Sequence, residues 1–242
     1  MWAICKKEFR QFFSNLTGYL SVALFLLLNG LFLFVFSSFN ILDFGYASLE
    51  NFFTLAPFVL LLLIPAITMR LLPDEWRSGT MELLQTRPLT AKEIVTGKYL
   101  ATLFVVLMAL VPTLIYVVSI QLLEAENVSI DMGGTLGSYI GLLFLSSSFA
   151  SISLCAGSFT NNAVVAFLAG AFLCFLMFSG PEAISSLPLF QSGADFYLQQ
   201  LGMEYHYRSL ARGVIDIREI VYFLSVIVLF LFITTQRVQT KK

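Results

Sequence analysis

"MGGTLGSYIGLLFLSSSFASISLCAGSFTNNAVVAFLAGAFLCFLMFSGP", Met132 to Pro181, contains no charged side chain. As a single α-helix these 50 residues would extend about 75 Å. That is more than twice the roughly 30 Å hydrocarbon thickness of a bilayer. The stretch must therefore fold back on itself. The polar break "FTNNA", Phe159 to Ala163, divides it into spans at Thr135–Ser158 and Ala163–Ser179, a tight helical hairpin. A hairpin this long and this apolar decides the fold class: all-α, a polytopic membrane protein.

The rest of the chain repeats the pattern. Charge-free apolar runs occupy Leu16–Phe39, Phe52–Met69 and Tyr99–Leu123, and a shorter sixth covers Ile220–Thr235 and begins nearer Ile217. Each approaches or exceeds the roughly 20 residues that a span requires. The expected architecture is one domain, 1–242, with spans near 16–39, 52–69, 99–123, 135–158, 163–179 and 217–235. Composition agrees, with 58% hydrophobic and 12% charged residues and 25 phenylalanines, where a soluble domain carries about 25% charge. A net charge of -1 supplies no basic field for nucleic acid. The first apolar run is about twice the length of a secretory h-region and no A-x-A site follows it, so it reads as an uncleaved span.

Connection charges set the orientation. With the N-terminus inside, eleven cations are cytoplasmic: Lys6, Lys7 and Arg10; Arg70, Arg77, Arg87, Lys92 and Lys98; Arg237, Lys241 and Lys242. The opposite side holds three, Arg208, Arg212 and Arg218, and its first two loops carry only acids. Both termini are thus expected in the cytoplasm of a cell inner membrane.

The connections have structure of their own. Trp2, Cys5, Phe9, Phe12, Phe13 and Leu16 recur at three- and four-residue steps, the pattern of an amphipathic helix lying in the interface. Between spans two and three, "LLPDEWRSGTMELLQTRPLTAKEIVTGK" (Leu71–Lys98) forms a folded cytoplasmic knob. Asp74 or Ser78 can cap a short helix with Trp76, Met81, Leu83 and Leu84 as its apolar contacts. Pro88 stops that helix, and Thr90-x-x-Glu93 is a capping box that opens the next, with Leu89 and Ile94 as its staple. On the outer side, Gly180–Arg218 is rich in aromatics, and short helices at headgroup level are expected there.

Gly133, Gly137 and Gly141, followed by a run of serines, mark the fourth span as closely packed. Pro57, Pro65 and Pro112 are packing kinks. No carboxylate, lysine or histidine falls at membrane depth, which argues against an ion-coupled carrier. Cys5, Cys155 and Cys174 lack metal-ligand spacing and read as small packing residues, and His206 as an interfacial one.

No catalytic constellation is present. "TGKY" at Thr96–Tyr99 fails the G-x-x-x-x-G-K-[ST] phosphate loop, because Lys92 stands at the first glycine position and Tyr99 at the last. The chain has no ATPase site, so any ATP-driven work needs another subunit.

The run Asp74–Ala101 resembles the cytoplasmic loop of ABC-2 type transporter permeases. The matching residues are Glu75, Arg77, Gly79, Thr80, Leu83, Leu84, Pro88, Leu89, Thr90, Gly97 and Lys98, with Leu83 and Leu84 one position closer to Thr80 than in the family pattern. Ser209–Thr234 is similar to the last-span region of the gliding-motility-associated permease subunit of Bacteroidota. Parts of "RGVID" are shared with permeases for copper-site maturation, drugs or polysaccharides. The resemblance implies a six-helix permease whose knob is a coupling helix seated in a separate ABC ATPase. Glu75, Arg77, Gly79, Thr80, Met81, Leu83, Leu84 and Pro88 would form that interface, with Met81, Leu83 and Leu84 as anchors and Glu75, Arg77 and Glu82 setting register. It implies no cofactor in this chain, ATP and Mg held by the partner ATPase, and a second permease copy or an auxiliary membrane subunit alongside. A non-transporting membrane scaffold could use the same knob; it differs in leaving ATP hydrolysis by the partner unaffected.

Overall fold

The Met132–Ser158 stretch forms one helix, and its start is fixed locally: the Asp131 carboxylate accepts a hydrogen bond from the Gly134 N–H at 2.9 Å. A computed structural model of the chain describes residues 1–36, 49–81, 89–123, 131–186, 194–213 and 216–241. Among these, helices are the only regular elements. They are α1 (Trp2–Ser14), α2 (Leu16–Phe34), α3 (Glu50–Thr68), α4 (Pro73–Ser78), α5 (Ala91–Leu110), α6 (Leu114–Leu123), α7 (Met132–Ser158), α8 (Ala163–Ser185), α9 (Ala194–Gln199), α10 (Met203–Ala211) and α11 (Ile217–Thr240).

Five stretches are long and apolar enough to cross a membrane: Glu50–Ser78, Ala91–Leu122, Met132–Ser158, Ala163–Ser185 and Ile217–Thr240. A sixth crossing is counted when α1 and α2, bent by 72°, are taken together. The bend separates α1 from the axis of the helix it precedes. Pro112, which lacks an N–H to continue the helical ladder, sits in a 3-10 turn at Val111–Thr113 that divides the third crossing into α5 and α6. Between α7 and α8 the chain turns at Phe159–Asn162, and the Asn162 side chain caps α8 by accepting from the Val164 N–H at 2.9 Å. Pro181 does not end α8, which continues to Ser185.

Helix α7 is the centre of the bundle. Of its apolar window 78% is buried, against 22% for α8 and 28% for α11, and it touches α3, α5, α8, α10 and α11. Its glycines admit an outer helix as well as neighbouring spans: a Cβ on Gly137 would lie 2.3 Å from the Leu210 carbonyl oxygen of α10. Helix α10 also repairs a defect in α3. Pro57 cannot donate to the Phe53 carbonyl one turn earlier, and the buried Tyr207 hydroxyl donates to that oxygen at 2.8 Å instead. Burial raises the pKa of this phenol.

Candidate functional site

Both chain termini lie at one end of the bundle, where α1, α4 and the start of α5 meet. Helix α5 opens with the expected capping box: the Thr90 hydroxyl accepts from the Glu93 N–H at 3.3 Å, and the Glu93 carboxylate accepts from the Thr90 N–H at 2.9 Å. One turn on, Gly97 lets α1 lie directly against α5; a Cβ there would stand 2.9 Å from both Ile4 Cβ and the Met1 carbonyl oxygen. Ile4, Cys5 and Glu8 are the residues that α1 buries.

The burial of Glu8 explains the junction. Lys98, on α5, is wholly excluded from solvent. Its ammonium donates to Glu8 Oε1 at 3.0 Å and to the Leu71 carbonyl at 2.7 Å. It also lies 2.8 Å from Glu75 Oε2, as an ion pair outside hydrogen-bond alignment. Lys7 closes the cluster from the solvent side, donating to Glu8 and Glu75 at 3.2 Å each. Two ammoniums and two carboxylates therefore alternate, with no net charge, across three helices. Taking such ions out of water costs several kcal/mol each, which is recovered only where every charge is closely paired.

Past α4 the chain turns at Gly79, whose φ of 70° is the left-handed cap that glycine adopts without strain. Thr80 and Met81 are again helical. The break in the knob thus falls at Gly79, while Glu82–Pro88, with the expected stop at Pro88 and the anchors Leu83 and Leu84, lies outside the described residues. Neither candidate cap serves α4: Leu72 precedes it, Pro73 opens it, Asp74 is in its first turn and Ser78 is its last residue. Of the other expected interface residues, Glu75 and Met81 face inward, and Met81 is 1% exposed. Arg77, Gly79 and Thr80 are exposed, as is Ser78, whose hydroxyl lies 2.9 Å from that of Thr80.

The last helix also reaches this end. Lys241 lies 4.3 Å above the Trp76 ring and donates to Asn161 at 2.7 Å, and Arg237 lies over Phe159. Burial, then Arg237, lowers the pKa of the Lys241 ammonium. Helix α4 is thereby held by α1, α5 and α11 at once.

Glu8 and Lys7 were absent from the expected site, although a signal existed. Glu8 is the only acid in α1, and it falls on the Cys5–Phe9–Phe12 side, where an unpaired charge would be costly. Lys98 likewise shares a stripe with Ile94, Ala101 and Val105. At the opposite end His206 is more than an interfacial ring. It bonds Glu219 through Nδ1 and the Gln200 carbonyl through Nε2 at 2.7 Å, and it stacks on Tyr222. There Arg208 pairs with Glu182 and Glu204.

An all-helical chain of five or six apolar crossings, with a folded polar junction at the end bearing both termini, defines a multi-pass membrane protein. The model of the ABC-2 family transporter proteins matches residues 2–241, and the chain belongs to that family. It is accordingly a membrane permease subunit of an ABC transporter, without an ATPase site of its own, whose family works with an ABC ATPase. No curated protein matches the chain.

Proposed function

We propose that the end carrying both termini faces the cytoplasm of the cell inner membrane, and that its knob receives the stroke of the separate ATPase. The observation that carries this reading is the buried Lys98–Glu8–Glu75 cluster. A load applied at the exposed turn Arg77–Thr80 reaches α1, α4 and α5 together, because Glu75 at the root of the turn is paired with Lys98 and Lys7. A loosely tethered loop would absorb the same load.

In this reading Arg77, Gly79, Thr80, Leu83, Leu84 and Pro88 contact the ATPase. Glu75 and Met81 support it from within. The ATPase binds ATP and Mg; its closure moves the knob, and the helices shift between two arrangements that expose the pathway to opposite sides. A second permease copy or an auxiliary membrane subunit completes the complex. The likeness of Ser209–Thr234 to gliding-motility permeases supports a role for the exporter in that machinery.

The test is co-purification with the ATPase subunit, followed by measurement of ATP hydrolysis for wild type, Leu83→Asp and Leu84→Asp. Loss of binding, or of stimulated hydrolysis, is expected. Retained binding with unchanged hydrolysis overturns the coupling assignment. Binding in the wild type with hydrolysis indifferent to the permease supports the scaffold instead.

A further inference from the structure

A cleft of about 1100 Å³ runs between α2 and α3 and ends at the α1–α4 junction. Its walls are apolar, and several of them, Leu20, Leu24, Phe58 and Leu62, are also strongly exposed, so the cleft opens sideways toward the hydrocarbon. Along α2 the lining runs from Leu20 to Phe32, a rise of about 18 Å. One leaflet of the hydrocarbon core is about 15 Å deep. The cleft therefore has the depth of a single leaflet, with its polar mouth at the interface.

The mouth carries opposite charges. Arg70 and Asp74 both line it and both are exposed. Among the described residues neither has an ion-pair partner, and they do not pair with each other. Lys7, beside them, is half-exposed, while Glu8 and Glu75 are occupied by Lys98. A guanidinium and a carboxylate lining one mouth fit a zwitterion: a phosphate for Arg70, which binds such groups with two parallel hydrogen bonds, and an ammonium for Asp74. We propose that the cleft is a binding site for one phosphatidylethanolamine molecule of the adjoining leaflet, its acyl chains along α2 and α3 and its headgroup between Arg70 and Asp74.

The site follows from this chain alone and does not depend on the ATPase reading. The headgroup chemistry gives an order of preference. Phosphatidylglycerol has the phosphate without the ammonium, and phosphatidylcholine has a quaternary ammonium with no N–H to donate. Both are expected to bind less tightly.

The test uses the full chain in nanodiscs of phosphatidylethanolamine, phosphatidylcholine or phosphatidylglycerol, followed by detergent extraction and native mass spectrometry of retained lipid. One phosphatidylethanolamine per chain is expected, with about tenfold weaker retention of the other two. Arg70→Gln should reduce retention of all three lipids, and Asp74→Asn should abolish the preference for the ethanolamine headgroup. Both are exposed positions, so the fold should survive. Val59→Trp, within the cleft, should displace the lipid whatever its headgroup. Equal retention of the three lipids, or retention unchanged in Arg70→Gln and Asp74→Asn, overturns the proposal. So does a Leu24→Cys crosslink showing that a second copy of the chain fills the cleft.

Discussion

Replacing Lys98 by Met tests whether the terminal junction is held by charge. The ammonium is wholly buried and touches Glu8 Oε1, Glu75 Oε2 and the Leu71 carbonyl at 2.7–3.0 Å. Without it two largely buried carboxylates share only Lys7, which is half in solvent. Breaking a buried pair by removing one partner costs about 3–5 kcal/mol, and in a chain of this size that corresponds to a fall of about 10 °C in Tm. The assay is thermal unfolding in detergent followed by tryptophan emission. The only two tryptophans are Trp2 on α1 and Trp76 on α4, so the signal reports the two helices that the cluster joins. Replacing all three buried members, Glu8→Met, Glu75→Met and Lys98→Met together, should recover most of the loss, because apolar replacement of a whole buried ion cluster is near neutral. A Tm for Lys98→Met within about 2 °C of wild type, or a triple variant as unstable as the single one, would refute the reasoning.

Other perturbations probe separate parts of the fold. Tyr207→Phe strands the Phe53 carbonyl that Pro57 already leaves unpaired and should cost about 1–3 kcal/mol, measured by reversible unfolding in mixed micelles; an unchanged unfolding curve rules the repair out. Gly97→Leu places side-chain atoms where Ile4 and the Met1 carbonyl now stand, so α1 should lift off α5 and trypsin should cut after Lys6, Lys7 and Arg10 faster than in wild type. Undiminished protection would show that α1 does not depend on that contact. Thr90→Ala removes one half of the capping box and should cost about 1 kcal/mol, visible as faster hydrogen exchange over Ala91–Thr96.

The parts of the structure legible in the sequence are those encoded within a few residues. The Thr90–Glu93 box depends on positions three apart, and the local pattern identifies it directly. Charge-free runs reveal the crossings because a bilayer imposes length and polarity on each helix separately. The junction is different in kind. Glu8, Glu75 and Lys98 lie 23 to 90 positions apart, and no local periodicity links them; only packing of α1 on α5 does. For the same reason the burial of Glu75 within α4 and of Met81 just past Gly79 has no local signature in the sequence. Tyr207 was visible only as an aromatic at the outer surface, since its role depends on a proline more than a hundred residues away.

The central claim, that the exposed turn beside this cluster is where the ATPase engages the permease, is tested most directly by site-specific crosslinking in the assembled complex. A short thiol-reactive crosslinker placed at Thr80→Cys should join the permease to the ATPase subunit, with a yield that changes between nucleotide-free and ATP-bound states. The same reagent at Arg212→Cys, at the opposite end of the bundle, should give no such product. A crosslink from Arg212→Cys and none from Thr80→Cys would contradict the account.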